Sequence, residues 1–159
     1  RSGVGKTTLL RMIAGLDRDY SGSISFDEGA RVSLAFQEHR LFPQLTALEN
    51  VVFAISDRKD EAVIKKCKEM LIKAGLSEDD LSLLPEALSG GMRQRVSLVR
   101  ALMFPAEILL LDEPTKELDS ENAGLVRRLI LEAAKTRLVI ISTHSSEDID
   151  FLCPKLINL

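Results

Sequence analysis

Residues 108–111 read Ile-Leu-Leu-Leu and run straight into Asp112-Glu113-Pro114. Four aliphatics without polar alternation fit a strand covered on both faces, as in a parallel sheet packed between helices. Such a strand delivers the carboxylate at its end, Asp112, to the C-terminal edge of the sheet, where open α/β folds place their ligands. The remaining chain alternates in the same sense. Strands are expected at 23–26, 32–36, 107–111, 138–142 and 155–159. Helices are expected at 6–16, in pieces across 47–83 (one of them from Asp60 to Gly75), after the glycines at 90–91 as far as 104, at 120–135 with Ser120 as cap, and at 146–152. Thr46 and Glu49 have capping-box spacing ahead of Val51-Val52-Phe53. The pattern predicts an α/β fold with a mostly parallel sheet and an inserted helical block.

Length and composition narrow the class. A chain of 159 residues holds one domain with a real core, and 45% hydrophobic with 28% charged residues separates it from disordered sequences. A net charge of −3 gives no electrostatic case for nucleic acid or an anionic membrane surface. The apolar runs are strand-sized, far below a membrane span. Cys67 falls on the apolar stripe Val63, Ile64, Cys67, Met70, Leu71, Ala74 and reads as a core residue; with Cys153 it makes no disulfide framework, and a reducing compartment fits.

Ser2-Gly3-Val4-Gly5-Lys6-Thr7-Thr8 precedes the first helix. Gly3 and Gly5 allow a tight turn whose N–H groups point inward at phosphate oxygens, and the helix adds its positive N-terminal dipole. Lys6 then reaches the terminal phosphates and the Thr7 hydroxyl faces Mg²⁺. A bare glycine-rich turn carries little weight alone. A second stretch, Leu88-Ser89-Gly90-Gly91-Met92-Arg93-Gln94-Arg95, opens another helix with small residues at its N-terminus, again an anion site.

The phosphate loop, the Ser89-Gly90-Gly91 signature and the strand ending in Asp112-Glu113, in that order, resemble the nucleotide-binding domain of ABC transporters over essentially the whole chain. The resemblance implies a RecA-like P-loop NTPase fold, with core at 1–37 and 105–159 and a helical subdomain at about 38–104, all within one domain of 1–159. On this pattern the chain opens inside its own phosphate loop, so an upstream strand, an antiparallel β-subdomain and the adenine-stacking aromatic are expected to lie ahead of Arg1. ATP and Mg²⁺ are the implied cofactors. The metal would be held by Thr7, Asp112 (through water) and Gln37, which follows the second strand where the family has its Q-loop glutamine. Glu113 would be the general base, and His144, after Thr143, the switch histidine contacting the γ-phosphate. Ser89, Gly90 and Gly91, with Asp119 of the D-loop, would act on nucleotide held by a second ATPase subunit, homologous or identical.

The family further implies transmembrane permease subunits as partners, a solute-binding protein as a further candidate, and a cytoplasmic, peripheral position on the inner face of the membrane. Phe42 and Leu45, in Leu41-Phe42-Pro43-Gln44-Leu45-Thr46, fall where the family receives the permease's coupling helix; packing under the helical block is an equal alternative. His39 offers no motif register and reads as a surface loop residue. Lys116-Glu117 departs from the small residues the family often carries before Leu118-Asp119, and is expected to tune the dimer interface. Phe36-Gln37-Glu38 and Met92-Arg93-Gln94-Arg95 look most like prokaryotic importer ATPases of the nitrate, sulfonate and taurine type. A non-transport ABC ATPase, such as a ribosome-associated tandem-cassette protein, remains the competing reading; a cassette that binds ATP without turnover is disfavoured by the intact motif residues.

Overall fold

The computed structural model describes residues 5–55 and 60–157, in the order α1 (Lys6–Ile13), β1 (Val32–Ala35), α2 (Ala47–Phe53), α3 (Glu61–Lys73), α4 (Gly90–Met103), β2 (Ile108–Asp112), α5 (Ser120–Ala134), β3 (Leu138–Ser142) and α6 (Ser146–Leu152). Two short 3-10 turns, Asp79–Ser82 and Pro85–Ala87, lead into α4. The described strands make one sheet ordered β1-β2-β3, parallel throughout, with Ile108 opposite both Val32 and Leu138.

β2 lies in the middle, and all its residues are buried. Successive side chains of a strand point to opposite faces. Ile108 and Leu110 pack with Leu10 and Ile13 of α1 on one side; Leu109 and Leu111 join the large core built by α2, α3, α4 and α5 on the other. Both faces are apolar because both are covered, which is why the run shows no alternation.

α4 is the centre of that larger core. Val96, Leu98, Val99, Ala101 and Leu102 are buried, and the helix packs on α2, α3 and β1 together. Ser89 caps it by accepting from the Met92 N–H at 3.2 Å. Thr46 and Glu49 complete the expected capping box on α2. Asp60 caps α3, and Gly75 at φ 86° leaves that helix where a Cβ would lie 2.7 Å from Arg95 Nη1 and 2.8 Å from Leu125 Cδ1. Only glycine suits both the left-handed backbone and that space. Cys67 is fully buried, and burial pushes its thiol pKa up to about 11, as a core residue requires.

Several expected boundaries are corrected. Residues 23–26 form no strand: their alternation finds no neighbouring strand among the described residues to take its backbone groups, and Phe26 is exposed. Of the strand expected at 155–159, residues 155–157 are likewise irregular, with Leu156 and Ile157 exposed, and 158–159 lie outside the described residues. α1 stops at Ile13, since Gly15 takes φ 70° and turns its N–H back to the Met12 carbonyl. Asp119, not Ser120, caps α5: its Oδ1 accepts from the Asn122 N–H at 2.9 Å.

One buried amide organises the loop before α2. Asn50 is fully buried; its Oδ1 accepts from Phe42 N–H at 2.8 Å, and its Nδ2 donates to the carbonyls of Phe42, Leu45 and Thr46 at 3.2, 2.9 and 3.0 Å. Asn50→Ala would strand several of these groups. We expect it to lower unfolding free energy by about 2–4 kcal/mol, read from the urea midpoint of the full-length protein at unchanged m-value.

Candidate functional site

The C-terminal ends of β2 and β3 and the N-terminus of α1 meet at one place. Gly5, at φ 86°, turns the chain into α1, and the next two side chains point across to the strand ends. The Thr7 hydroxyl donates to Asp112 Oδ2 at 2.7 Å. Lys6 Nζ donates to the Thr143 carbonyl at 3.3 Å and lies 2.9 and 3.1 Å from the two ring nitrogens of His144. A neutral imidazole has one nitrogen able to accept, so only one of these contacts is a hydrogen bond at a time.

Glu113 completes the cluster. Its Oε1 lies 3.7 Å from Lys6 Nζ and 3.4 Å from His144 Nε2, and its Oε2 accepts from the His144 N–H at 3.3 Å. The carboxylate sits in a crevice, its side chain 11% exposed. Glu113 has φ 52°, the left-handed region a non-glycine residue seldom adopts. Its own N–H still donates to the Ser142 carbonyl at 2.8 Å. The sheet therefore holds the backbone in place while the unusual φ turns the glutamate away from Asp112 and towards Lys6.

Asp112 is 3% exposed, and its Oδ1 is buried without a hydrogen-bond partner among the described residues. An orphaned carboxylate oxygen beside a threonine hydroxyl suits a small hard cation that accepts oxygen ligands and keeps several waters. No cluster of three or more His, Cys, Asp or Glu side chains able to hold a metal exists among the described residues. The donor set thus fits Mg²⁺ arriving with phosphate oxygens, rather than a cation caged wholly by protein.

Other expected site residues lie apart. Gln37, two residues beyond β1, is exposed, and no hydrogen bond joins it to the cluster among the described residues. Thr8 is exposed on the first turn of α1. Ser89, Gly90 and Gly91 stand at the start of α4 against the loop 115–119: a Cβ on Gly90 would lie 2.9 Å from Glu117 Oε2, and one on Gly91 3.2 Å from the Glu117 carbonyl. Asp119 is engaged as the α5 cap, with Oδ2 accepting from Asn122 Nδ2 at 2.7 Å. Ser2, Gly3 and Val4 lie outside the described residues.

His39 is a correction. Its side chain is 16% exposed, and Nε2 lies 3.4 Å from Glu117 Oε2, near enough for attraction once the ring is charged but outside hydrogen-bond geometry. Its carbonyl, with that of Arg40, accepts from Arg100 of α4 at 3.0 and 2.9 Å. Burial lowers the Arg100 pKa. Phe42 is 39% exposed and edge-on to Phe53, whereas Leu45 is half-buried.

Sequence reading missed the buried polar ties. Gln94 Nε2 donates to the carbonyls of Glu113 and Pro114 at 3.3 Å each, binding α4 to the turn after β2. Arg95 donates to the carbonyls of Gly91, Ala74 and Gly75 and to Asn122 Oδ1. Burial lowers its pKa, opposed by the charges of Asp119 and Asp80. Both residues stand in the segment that opens at Ser89-Gly90-Gly91, but nothing in that segment points to their partners.

A glycine-led helix start whose Lys6 and Thr7 meet the end of a buried parallel strand closing in adjacent acids defines a P-loop NTPase domain of α/β class. Residues 1–116 match the ABC transporter family. The chain belongs to that family. It is 36% identical over 158 residues to the aliphatic sulfonates import ATP-binding protein SsuB 1 of Pseudomonas syringae pv. syringae, covering 98% of this chain and 65% of the relative. It is 39% identical over 166 residues to SsuB of Bacillus cereus, covering 98% and 64%. The chain therefore spans a little under two-thirds of the length of these curated relatives. Among solved structures, a dimeric ATP-binding cassette in a post-hydrolysis state with ADP and Pi superposes with a TM-score of 0.85 at 31% identity, over 95% of this chain and 75% of that one. An RNase-L inhibitor chain matches with a TM-score of 0.79 at 29% identity, over 95% and 29%.

Proposed function

We propose that this chain binds and hydrolyses MgATP as part of a dimeric cassette that powers solute import with transmembrane permease subunits. The observation that carries the reading is the convergence of Lys6, Thr7, Asp112, Glu113 and His144 on one edge of the sheet. Those groups supply a cation for phosphate, an oxygen pair for Mg²⁺, a recessed carboxylate and an imidazole beside it.

Thr7 and Asp112, with Gln37 moving in, would hold Mg²⁺, which when bound neutralises phosphate charge. Lys6 would leave Glu113 for the terminal phosphates. Glu113, released from Lys6, would accept the proton of the attacking water, with His144 holding the γ-phosphate. Ser2, Gly3, Val4, Gly5 and Thr8 would complete the phosphate cradle through backbone and hydroxyl groups. Ser89, Gly90 and Gly91 lie away from this cluster but open α4 with a positive helix end, which supports a role on nucleotide bound by the second subunit, with Asp119 at the same interface. The helical part, about 38–104, would then carry the signature between the two nucleotides.

Import is favoured over a non-transport role by the sequence relatives, which are aliphatic sulfonates import ATP-binding proteins. No helix among the described residues is long and apolar enough to cross a membrane. On this reading the chain would meet the permease at the cytoplasmic face of the membrane. Half-exposed Phe42 beside Phe53 suits that contact. The test is phosphate release from MgATP by the full-length protein. Turnover that is lost on chelating Mg²⁺ supports the reading; no release with or without permease would sink it.

A further inference from the structure

Asp148, on α6, has no hydrogen bond or ion pair to Lys6, Thr7, Asp112 or Glu113 among the described residues, yet it is completely buried. Its Oδ2 accepts from two hydroxyls, Thr115 at 2.7 Å and Thr143 at 2.9 Å. Its Oδ1 accepts from Arg127 Nε at 2.7 Å. Thr115 stands two residues after Glu113, and Thr143 immediately precedes His144. One carboxylate therefore ties together the two loops that bring Glu113 and His144 within 3.4 Å of each other.

The local bonds reinforce the tie. Thr143 Oγ1, while donating to Asp148, accepts from the Ser145 N–H at 3.0 Å, and Ser145 Oγ accepts from the Asp148 N–H at 3.2 Å. The loop 143–145 is thus closed onto the first turn of α6. Arg127 supplies the countercharge from α5: burial alone would lower its pKa, but hydrogen bonds to Asp148 and Glu147 prevail and raise it. Hydroxyl and guanidinium donors to a buried carboxylate are short and directional, and an ion paired in this way is costly to break one-sidedly.

We propose that Asp148 is a positioning residue for ATP turnover, fixing the His144 loop against the turn after Glu113 without contacting nucleotide. This rests on the ATPase reading above. Displacing His144 from Glu113 by a fraction of a residue would leave phosphate binding through Lys6 and Thr7 intact while misaligning the groups acting on water.

The test uses the full-length protein with Asp148→Asn, Thr115→Val and Thr115→Ser. We expect Asp148→Asn and Thr115→Val to lower kcat by about tenfold to a hundredfold, with KM for MgATP within about twofold, and Thr115→Ser, which keeps the hydroxyl, to stay near the parent. A parent-like kcat in Asp148→Asn, or kcat and KM that change together, would overturn the proposal. A second arm needs no turnover: in nucleotide-free protein, Asp148→Asn should speed hydrogen exchange of the His144, Ser145 and Asp148 amides by about tenfold or more, with β2 and α4 amides unchanged. Unchanged exchange at those amides also overturns it. A parent that releases no phosphate counts against the ATPase reading, while the exchange arm still decides whether Asp148 positions the loop.

Discussion

Glu113→Gln is expected to lower ATP turnover by roughly a hundredfold to ten-thousandfold, with MgATP binding retained. The amide keeps the shape of the side chain and can still accept from the His144 N–H, which Glu113 Oε2 does at 3.3 Å. It cannot take a proton from water. Fold stability should barely move, because the charge contacts affected are those of Oε1 with Lys6 at 3.7 Å and with His144 Nε2 at 3.4 Å, both partners part-exposed. Single-turnover phosphate release, set beside equilibrium binding of a fluorescent ATP analogue, separates the two effects. Equal losses in binding and turnover would mean that Glu113 acts on the ground state and is not the base.

Lys6→Ala has the opposite signature. Lys6 is held by Glu113, His144 and the Thr143 carbonyl, so its ammonium is kept next to the groups that would work on the γ-phosphate. Removing it takes away a charge-assisted donor to phosphate, and MgATP affinity should fall by about tenfold to a hundredfold. Titration calorimetry measures this directly. Affinity within a factor of about two of the parent would show that Lys6 serves Glu113 and not phosphate.

The elements with a local cause were legible in the sequence. Ile108–Asp112 needs only its own apolar run to be read as buried, and the caps at Thr46, Asp60 and Ser89 are written in adjacent side chains. The gathering of Lys6, Thr7, Asp112, Glu113 and His144 followed from motif order, since parallel strands bring their C-terminal ends to one edge. What stayed hidden depends on distant partners. Asp148 meets Thr115 and Arg127 across gaps of 33 and 21 residues, and Gln94 meets Glu113 across 19. No spacing rule relates such pairs, because the sheet and α5 bring them together. The strand expected at 23–26 failed for the converse reason: alternation marks a segment fit for pairing, but pairing needs a neighbour, and the described residues offer none.

Glu117 illustrates how a departure from a family pattern acquires physical content. Its carboxylate sits against Gly90 and 3.4 Å from His39, so the loop 115–119 leans on both the signature and the segment after Gln37. Any approach of a second chain to Ser89 and Gly91 has to accommodate that side chain.

On the function proposed above, ATP would be enclosed between the Lys6 cluster of one subunit and the Ser89-Gly91 turn of a second, identical or homologous. Multi-angle light scattering on the full-length Glu113→Gln variant tests it most directly. A dimer is expected with MgATP and a monomer with MgADP, since on that reading the γ-phosphate would join the two surfaces. A monomer in both nucleotides, with MgATP shown to be bound, would contradict it.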